Sequence, residues 1–262
     1  MKRWAITFSG AAYDIPTSRM VEATPRCGVD ELLVYDDVWL EESDFKQTNK
    51  WLWEHPGMRL TDGSYIKRGA RCWYAFKPLI LLETFKRMSD GDVVLYMDGD
   101  TYPIRDLSIV YDIAARDGAM LFSAVWHRNA KWCKRDCFIA MGQDEYWTKD
   151  QQAGVARYCA FKKGPWKPYQ FLMEWLTYSV NLTATTFDPS KYGPECPEFE
   201  EHRTEQAIMT LLAHKHGYTL YREACQYGEP HYQHRDLYGQ LFQVIDSTVM
   251  GAPAEGSRWR NV

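Results

Sequence analysis

The run VVLYM, Val93 to Met97, constrains the fold most, because it is apolar throughout and ends directly at Asp98-Gly99-Asp100. A strand that is β-branched or apolar at every position is typical of the centre of a parallel sheet, where both faces are buried. Residues 78–88 (PLILLETFKRM) precede it, and Pro78 suits the first turn of a helix. These segments predict a helix followed by a buried central strand.

The same alternation of strand and helix patterns extends along the first half of the chain. Three more apolar runs predict strands, at residues 4–9, 31–35 and 119–125, and residues 106–115 predict a helix. In the second half we predict helices over residues 151–161, 165–178 and 203–216. This order predicts an α/β fold with a Rossmann-like, mostly parallel central sheet flanked by helices, and an elaborated C-terminal half.

The chain has 262 residues, of which 45% are hydrophobic, so it can bury a sizeable core. It shows no repeat and no linker, which predicts a single domain over residues 1–262. Aromatic residues make up 15%, with 11 Trp and 17 Tyr, which suits either stacking on sugars or bases or a Trp-rich core. The net charge of −4 argues against a nucleic-acid partner, because such proteins usually carry a basic face.

The cysteines and the N-terminal sequence bear on the compartment. Seven cysteines follow no dense repeating spacing, and MKRWAITFSGAAYD has too short an apolar run for a secretory signal. No run of about 18 apolar residues is present, so no transmembrane segment is expected. We therefore predict a reduced, cytoplasmic protein.

Asp98 and Asp100 follow the central strand at the point where ligands bind in open α/β sheets, beyond the carboxyl ends of the strands. Side chains at i and i+2 of an extended segment point the same way, so the two carboxylates form a hard oxygen site suited to Mg²⁺ or Mn²⁺. Gly99 between them allows the close approach of a bulky anion such as a diphosphate. The alternative is an ordinary turn, for which Asp and Gly are common residues.

Several motifs in the same order resemble a known family. Around the Asp-x-Asp segment stand RGARCWYAFKPLILLETF, WCKRDCFIAMG, QQAGVARYCAFKK, HRTEQAIMTLLAHKHG and HYQHR. Together they resemble the nucleotide-sugar-dependent glycosyltransferases of the GT-A fold, in particular the retaining galactosyltransferase and glycogenin group and related bacterial and viral members. Gln152 stands where that group usually has Asn, and Glu205-Gln206 stands where it has Asp-Gln. The resemblance covers about residues 4–236.

The resemblance implies a metal-dependent hexosyl- or pentosyltransferase that moves a sugar from a nucleotide sugar, most often a UDP-sugar, to a glycan, glycoside or other hydroxyl acceptor, with retention. Residues 1–125 would form the nucleotide-sugar-binding half and residues 126–262 the acceptor-side half. Asp98 and Asp100, with His234 or His231 from HYQHR, would bind Mn²⁺ or Mg²⁺. The expected catalytic residues are Glu205, Gln206 and Asp136.

The remaining candidates would bind the donor. Positive charges suited to the diphosphate are Arg68, Arg71, Lys77 and Arg235, and Gly99 lies between the metal ligands. Residues expected at the nucleotide follow or end the first two strands, namely Phe8, Ser9, and Asp36 or Asp37. Each has a plainer alternative, which is a solvated surface charge for the basic residues and a turn for the aspartates.

Two other functions fit parts of the sequence. A phosphatase of the haloacid dehalogenase type also has an apolar strand before Asp-x-Asp, but its Thr or Val falls where this chain has Tyr102, and its motif usually lies near the N-terminus. A non-catalytic carbohydrate- or nucleotide-binding protein would explain the aromatic excess. An intact Asp-x-Asp followed by a late histidine argues for an enzyme.

Overall fold

The computed structural model describes residues 1–10, 14–55, 58–59, 65–66, 72–164 and 166–245. The strands in these ranges are β1 (Arg3–Ser9), β2 (Glu31–Asp36), β3 (Met58–Arg59), β4 (Tyr65–Ile66), β5 (Val93–Asp98), β6 (Thr101–Pro103), β7 (Ala119–Arg128), β8 (Gln152–Lys162), β9 (Leu220–Arg222) and β10 (Phe242–Val244). The α-helices are α1 (Asp14–Ala23), α2 (Asp37–Glu42), α3 (Asp44–Thr48), α4 (Trp51–Glu54), α5 (Phe76–Phe85), α6 (Ser108–Asp117), α7 (Asn129–Trp132), α8 (Arg135–Ala140), α9 (Tyr146–Asp150), α10 (Trp166–Ser179), α11 (Leu182–Thr185) and α12 (Thr204–Lys215).

Within the described ranges, six strands form one sheet in the order β2-β1-β5-β8-β7-β9. β1 pairs in parallel with β2 and β5, and β7 pairs in parallel with β9. β8 is antiparallel to both of its neighbours, β5 and β7. All strands of this sheet except β8 therefore run the same way, and their carboxyl ends meet at one edge. The predicted α/β fold class, with a Rossmann-like and mostly parallel sheet flanked by helices, is confirmed.

The sheet separates two apolar layers. Along β5, Val94 and Tyr96 face the layer formed with α5, α10 and α12, whereas Val93, Leu95 and Met97 face the layer formed with α6 and the C-terminal strands. Both faces of the strand are buried, which is what its uninterrupted apolar sequence predicts. The predicted strands at β1, β2 and β7 and the predicted helices at α5, α6, α10 and α12 are likewise confirmed. The single domain and its boundary near residue 125 stay predictions.

One predicted element is wrong. Residues 151–161, expected to be a helix, form most of β8. Ala and Gln favour a helix by intrinsic propensity, but this segment is buried on both faces, so its position in the sheet decides its conformation. A Cβ atom at Gly154 would lie 2.9 Å from Thr210 Oγ1 and 3.0 Å from Met209 Cε. The glycine that weakens a strand in isolation thus allows α12 to pack closely on it.

A two-stranded sheet fixes the chain just after the Asp-x-Asp segment. β6 pairs with β10 so that Thr101 lies opposite Val244, and the Ile245 N–H donates to the Asp100 carbonyl at 2.8 Å. The backbone of Asp100 is thus held by the residue that follows β10. None of the helices described is long and apolar enough to cross a membrane.

Candidate active site

A buried lysine joins the Asp-x-Asp segment to the start of α12. Lys77 Nζ lies 2.9 Å from Asp98 Oδ1 and 2.9 Å from Glu205 Oε1, and it donates to the Ala156 carbonyl at 3.2 Å. The Lys77 side chain is on the first turn of α5, Asp98 ends β5, and Glu205 is on the first turn of α12. Residues far apart in the sequence therefore converge on one ammonium group at the carboxyl edge of the sheet.

The charge of Lys77 is maintained by its neighbours. Burial alone lowers the pKa of its ammonium, but the carboxylates of Asp98 and Glu205 raise that pKa by more, so the net shift is upward. Tyr96 donates its hydroxyl to Asp98 at 2.5 Å. Burial, and then the charge of Asp98, raises the pKa of Tyr96 well above its usual value, so its proton stays in place. The result is a fixed ion cluster of Lys77, Asp98 and Glu205.

Asp100, the second carboxylate of the motif, is in a less favourable environment. Burial, and then the nearby charge of Asp98, raises the pKa of Asp100, while Arg157 opposes the shift. The Thr101 hydroxyl donates to its carboxylate at 2.9 Å. Arg157 in turn lies 3.6 Å from Glu223, and its own pKa is raised because the charges of Asp100 and Asp98 outweigh the effect of burial. Two carboxylates and a half-buried guanidinium thus share one small region.

A cavity of about 360 Å³ opens beside this region. Its lining combines aromatic rings with polar and charged side chains, among them His127, Trp132, Arg157, Arg203, Gln206, Glu223, Tyr227 and His231. Such a mixture of ring faces and convergent polar groups is typical of a ligand site. Gln206 also links the cavity to the sheet, because its Oε1 accepts the Ala156 N–H at 3.5 Å.

Strained backbone lies at the start of both helices that contribute to the ion cluster. Cys72, Trp73 and Tyr74, just before α5, have φ angles of 43°, 53° and 65°. Thr204, just before Glu205, has a φ of 41°, which is costly for a β-branched residue. Such strain costs on the order of 1–3 kcal/mol per residue and is concentrated at functional sites. Here the strained backbone fixes the direction in which the chain enters α5 and α12, and therefore the positions of Lys77 and Glu205.

The predicted metal ligands are only partly brought together. The charge of Asp98 acts on Asp100, and a divalent cation would relieve that repulsion, so the pair fits Mg²⁺ or Mn²⁺. His231 lines the 360 Å³ cavity, whereas His234 Nδ1 accepts the Arg222 N–H at 3.1 Å. Over the described residues, no group of three His, Cys, Asp or Glu is placed to hold a metal ion. A histidine ligand therefore stays a prediction.

Asp136 lies in a different environment from the ion cluster. Its carboxylate accepts the Ser190 hydroxyl at 2.7 Å and the N–H groups of Lys191 and Tyr192 at 3.0 and 3.3 Å. These contacts anchor the loop that follows α11. Asp136 is buried, so the described contacts place it as a loop anchor, and its role towards a sugar hydroxyl stays a prediction.

The predicted donor-binding residues at the strand ends have structural contacts. Phe8 stacks on Phe76 with ring centroids 4.2 Å apart and lies opposite Asp98 in the sheet. The Ser9 hydroxyl is 2.9 Å from the Thr17 hydroxyl. The Asp36 carboxylate accepts the Trp39 N–H at 2.7 Å and caps α2.

Two further predictions concern basic residues. Arg235 donates from Nε to the His231 carbonyl at 2.7 Å, so its described contacts lie within its own loop. Arg68 and Arg71 lie outside the described residues.

Sequence reasoning missed Arg157, Glu223, Trp132 and Tyr227. Arg157 had a signal, because it is the lone charge in the apolar run AGVARYCAF. A strand interpretation of that run would have placed it in the sheet beside the motif. The two aromatic residues and Glu223 had no local signal, because only the folded chain brings them to the cavity.

No family model matches the chain, and a search of curated proteins finds no match. Solved structures with a similar fold include the apo structure of the bifunctional glycosyltransferase WbbM, which is 13% identical over 80% of this chain, with a TM-score of 0.47. They also include the apo form of mouse xyloside xylosyltransferase 1, which is 11% identical over 97% of this chain and 100% of that chain, with a TM-score of 0.48. The chain spans only 37% of the WbbM chain.

Proposed function

We propose that this chain is a metal-dependent glycosyltransferase of the GT-A type, which moves a sugar from a nucleotide sugar, with UDP-sugars as the expected donors, to a glycan or other hydroxyl acceptor. The observation that carries the proposal is the ion cluster of Lys77, Asp98 and Glu205, which stands at the carboxyl edge of the sheet beside an open polar cavity. Ligands of open α/β sheets bind at this edge.

The proposed chemistry requires positive charge where the sugar separates from a nucleoside diphosphate. Asp98 and Asp100 would hold Mn²⁺ or Mg²⁺, which when bound stabilises the charge of the leaving diphosphate. Arg157 adds a half-buried positive charge next to Asp100, and its guanidinium lines the cavity, so it can bind a phosphate oxygen there. Lys77 neutralises part of the carboxylate charge and fixes Asp98 and Glu205 relative to each other.

We propose that Gln206, rather than Glu205, contacts the reacting sugar. The Gln206 side chain lines the cavity, whereas the Glu205 carboxylate is buried in its ion pair with Lys77. Transfer with retention needs only a dipole or weak nucleophile at the sugar, and a carboxamide can supply that dipole. The rings of Trp132 and Tyr227 offer apolar faces on which sugar rings can pack.

A donor screen tests the function. We expect one nucleotide sugar to be hydrolysed or transferred in the presence of Mn²⁺ and not in EDTA. The substitution Asp100→Asn should lower that rate on the order of 100- to 1,000-fold, because it removes a ligand of the cation that stabilises the leaving group. Asp112→Asn, on the exposed side of α6, is the matched control and should leave the rate unchanged.

The alternatives give other results in the same assays. Full activity in EDTA would contradict the proposal. Nucleotide binding by calorimetry that is independent of Mn²⁺, with no turnover, would favour a binding protein. Hydrolysis of an aryl phosphate that is lost in Asp98→Asn would favour a phosphatase.

The stereochemical outcome is a separate test. With an α-linked donor, we expect proton NMR of the first product to show an α linkage. The substitution Gln206→Ala should then lower the rate by more than about tenfold, which exceeds what a helix-dipole effect of about 1 kcal/mol allows. A β-linked first product would show inversion and would return the role of base to Glu205 or Asp136.

A further inference from the structure

A second and larger cavity, of about 1110 Å³, lies next to the candidate active site. It is bordered by the end of β7, by α7 and α9, and by residues 194–200 of the loop before α12. Sites for single small molecules usually measure about 300–1,000 Å³, so this cavity is large enough for a longer ligand.

The two cavities share their walls. His127 and Trp132 line the smaller cavity, whereas Arg128 and Lys131, between them in sequence, line the larger one. The segment before α12 also lines both cavities. Glu200, whose N–H donates to the Lys131 carbonyl at 3.0 Å, lines the larger cavity, and the Arg203 residue that follows lines the smaller. A ligand bound in the smaller cavity can therefore continue over this common rim into the larger one.

The charge of the larger cavity is balanced. Its lining carries four basic and four acidic side chains. Several are paired, as Arg128 with Asp150 at 3.1 Å and Lys131 with Glu200 at 2.8 Å. A site for a polyanion would carry an excess of basic residues, and a site for a polycation an excess of acidic ones. Paired charges instead present many hydrogen-bond donors and acceptors without a net field.

The cavity also has apolar surface. The ring of Tyr146 is 82% exposed and forms part of its lining, together with Pro194 and Pro197. An exposed aromatic ring beside planar donors and acceptors suits a ligand that has apolar C–H faces and a rim of hydroxyl groups. A neutral sugar chain has both properties.

We propose that the larger cavity binds the part of a neutral oligosaccharide acceptor that lies away from the reacting hydroxyl group, with Tyr146 as its stacking platform. This inference rests on the proposed glycosyltransferase function. The expected acceptor is a neutral glycan of several sugar units.

The test measures binding without catalysis. Maltohexaose, cellohexaose, mannohexaose and N-acetylchitohexaose are titrated into the full chain by calorimetry or saturation-transfer NMR, with a heparin hexasaccharide as the anionic comparison. We expect at least one neutral hexaose to bind. Tyr146→Ala should raise its Kd about tenfold, because it removes the exposed aromatic surface. Trp166→Ala, a similarly exposed aromatic residue on α10 that does not line this cavity, should leave the Kd unchanged.

Three results would overturn the inference, namely binding of none of the neutral hexaoses, an equal Kd for Tyr146→Ala and the unsubstituted chain, or binding of the heparin hexasaccharide alone. The substitution Asp100→Asn separates this inference from the proposed function, because it should lower Mn²⁺-dependent turnover on the order of 100- to 1,000-fold and leave hexaose binding intact. Hexaose binding without any donor turnover in the unsubstituted chain would leave the inferred glycan site standing and contradict the proposed enzyme.

Discussion

Two lysines of this chain are buried to the same degree in opposite surroundings. Lys77 is 4% exposed and contacts two carboxylates, whereas Lys134 is 2% exposed and its ammonium lies 3.4 Å from the Thr186 hydroxyl. Among the residues that the structure describes, no carboxylate lies within ion-pair distance of Lys134 Nζ. The two regions therefore share burial and differ in charge compensation.

The consequences for protonation are opposite. Carboxylates raise the pKa of Lys77 in spite of its burial, whereas burial lowers the pKa of Lys134 and the more distant Asp136 only partly offsets it. Burial and then the charge of Lys134 also lower the pKa of its neighbour His202 to about 3. Burial alone therefore does not mark a functional lysine. The convergence of Asp98 and Glu205 on Lys77 is what distinguishes the candidate active site.

The largest expected effect is on stability after loss of Lys77. The substitution Lys77→Met should lower the free energy of unfolding by about 3–5 kcal/mol, because it leaves the buried Glu205 carboxylate and the half-buried Asp98 carboxylate without their partner. Urea unfolding followed by circular dichroism measures it, with Lys134→Met as the matched control. Equal losses in the two variants would show that burial, and not ion pairing, decides the contribution of a lysine here.

A double substitution tests whether Lys77 and Glu205 are coupled. Adding Glu205→Gln to Lys77→Met should recover part of the lost free energy of unfolding, since the unpaired charge of the Glu205 carboxylate is then removed. We expect a coupling free energy of about 0.5–3 kcal/mol from the double-mutant cycle. Asp112→Asn added to Lys77→Met should be additive. Additivity in the Glu205 cycle would contradict the ion cluster.

A smaller and opposite effect is expected at the second lysine. Lys134→Met should raise the free energy of unfolding by about 1 kcal/mol, because a buried ammonium without a carboxylate partner is replaced by an apolar side chain of similar length. The same urea unfolding experiment measures it. A loss of several kcal/mol would mean that Lys134 has a stabilising partner that the described contacts do not reveal.

The pH dependence should differ in sign between the two regions. Lys77 has a raised pKa in the folded state, so its contribution is complete below the unfolded value of about 10.4 and is lost as the pH rises beyond it. Lys134 has a lowered folded pKa, so the unfolded chain binds the extra proton, and the protein gains stability as the pH rises towards about 10.4. For each lysine, the difference in unfolding free energy between the unsubstituted chain and the Met variant is measured from about pH 8 to 11, and its slope against pH is compared. Slopes of the same sign would contradict the comparison.

The sequence alone predicted the members of the candidate site better than their arrangement. Asp98 was a candidate because it ends a predicted strand, Lys77 because its positive charge suits a diphosphate, and Glu205 because of the family resemblance; the strand and the two helices that carry them are confirmed. That one ammonium joins both carboxylates depends on contacts between distant segments, which no local pattern encodes. Arg157 was missed for a related reason, because the small residues of β8 resemble a helix until α12 is packed against Gly154.

The anchoring of Asp100 by the C-terminal strand has a consequence for the order of folding. β1, β2 and β5 are all complete before the chain reaches residue 100. Asp100 and β6, in contrast, are held by residues 242–245, near the other end of the described chain. Contacts between residues so distant in sequence must overcome a large loop-closure entropy and form late. A nascent chain should therefore contain most of its sheet before its Asp-x-Asp segment becomes rigid, and the proposed nucleotide binding should appear only after β10 has been synthesised.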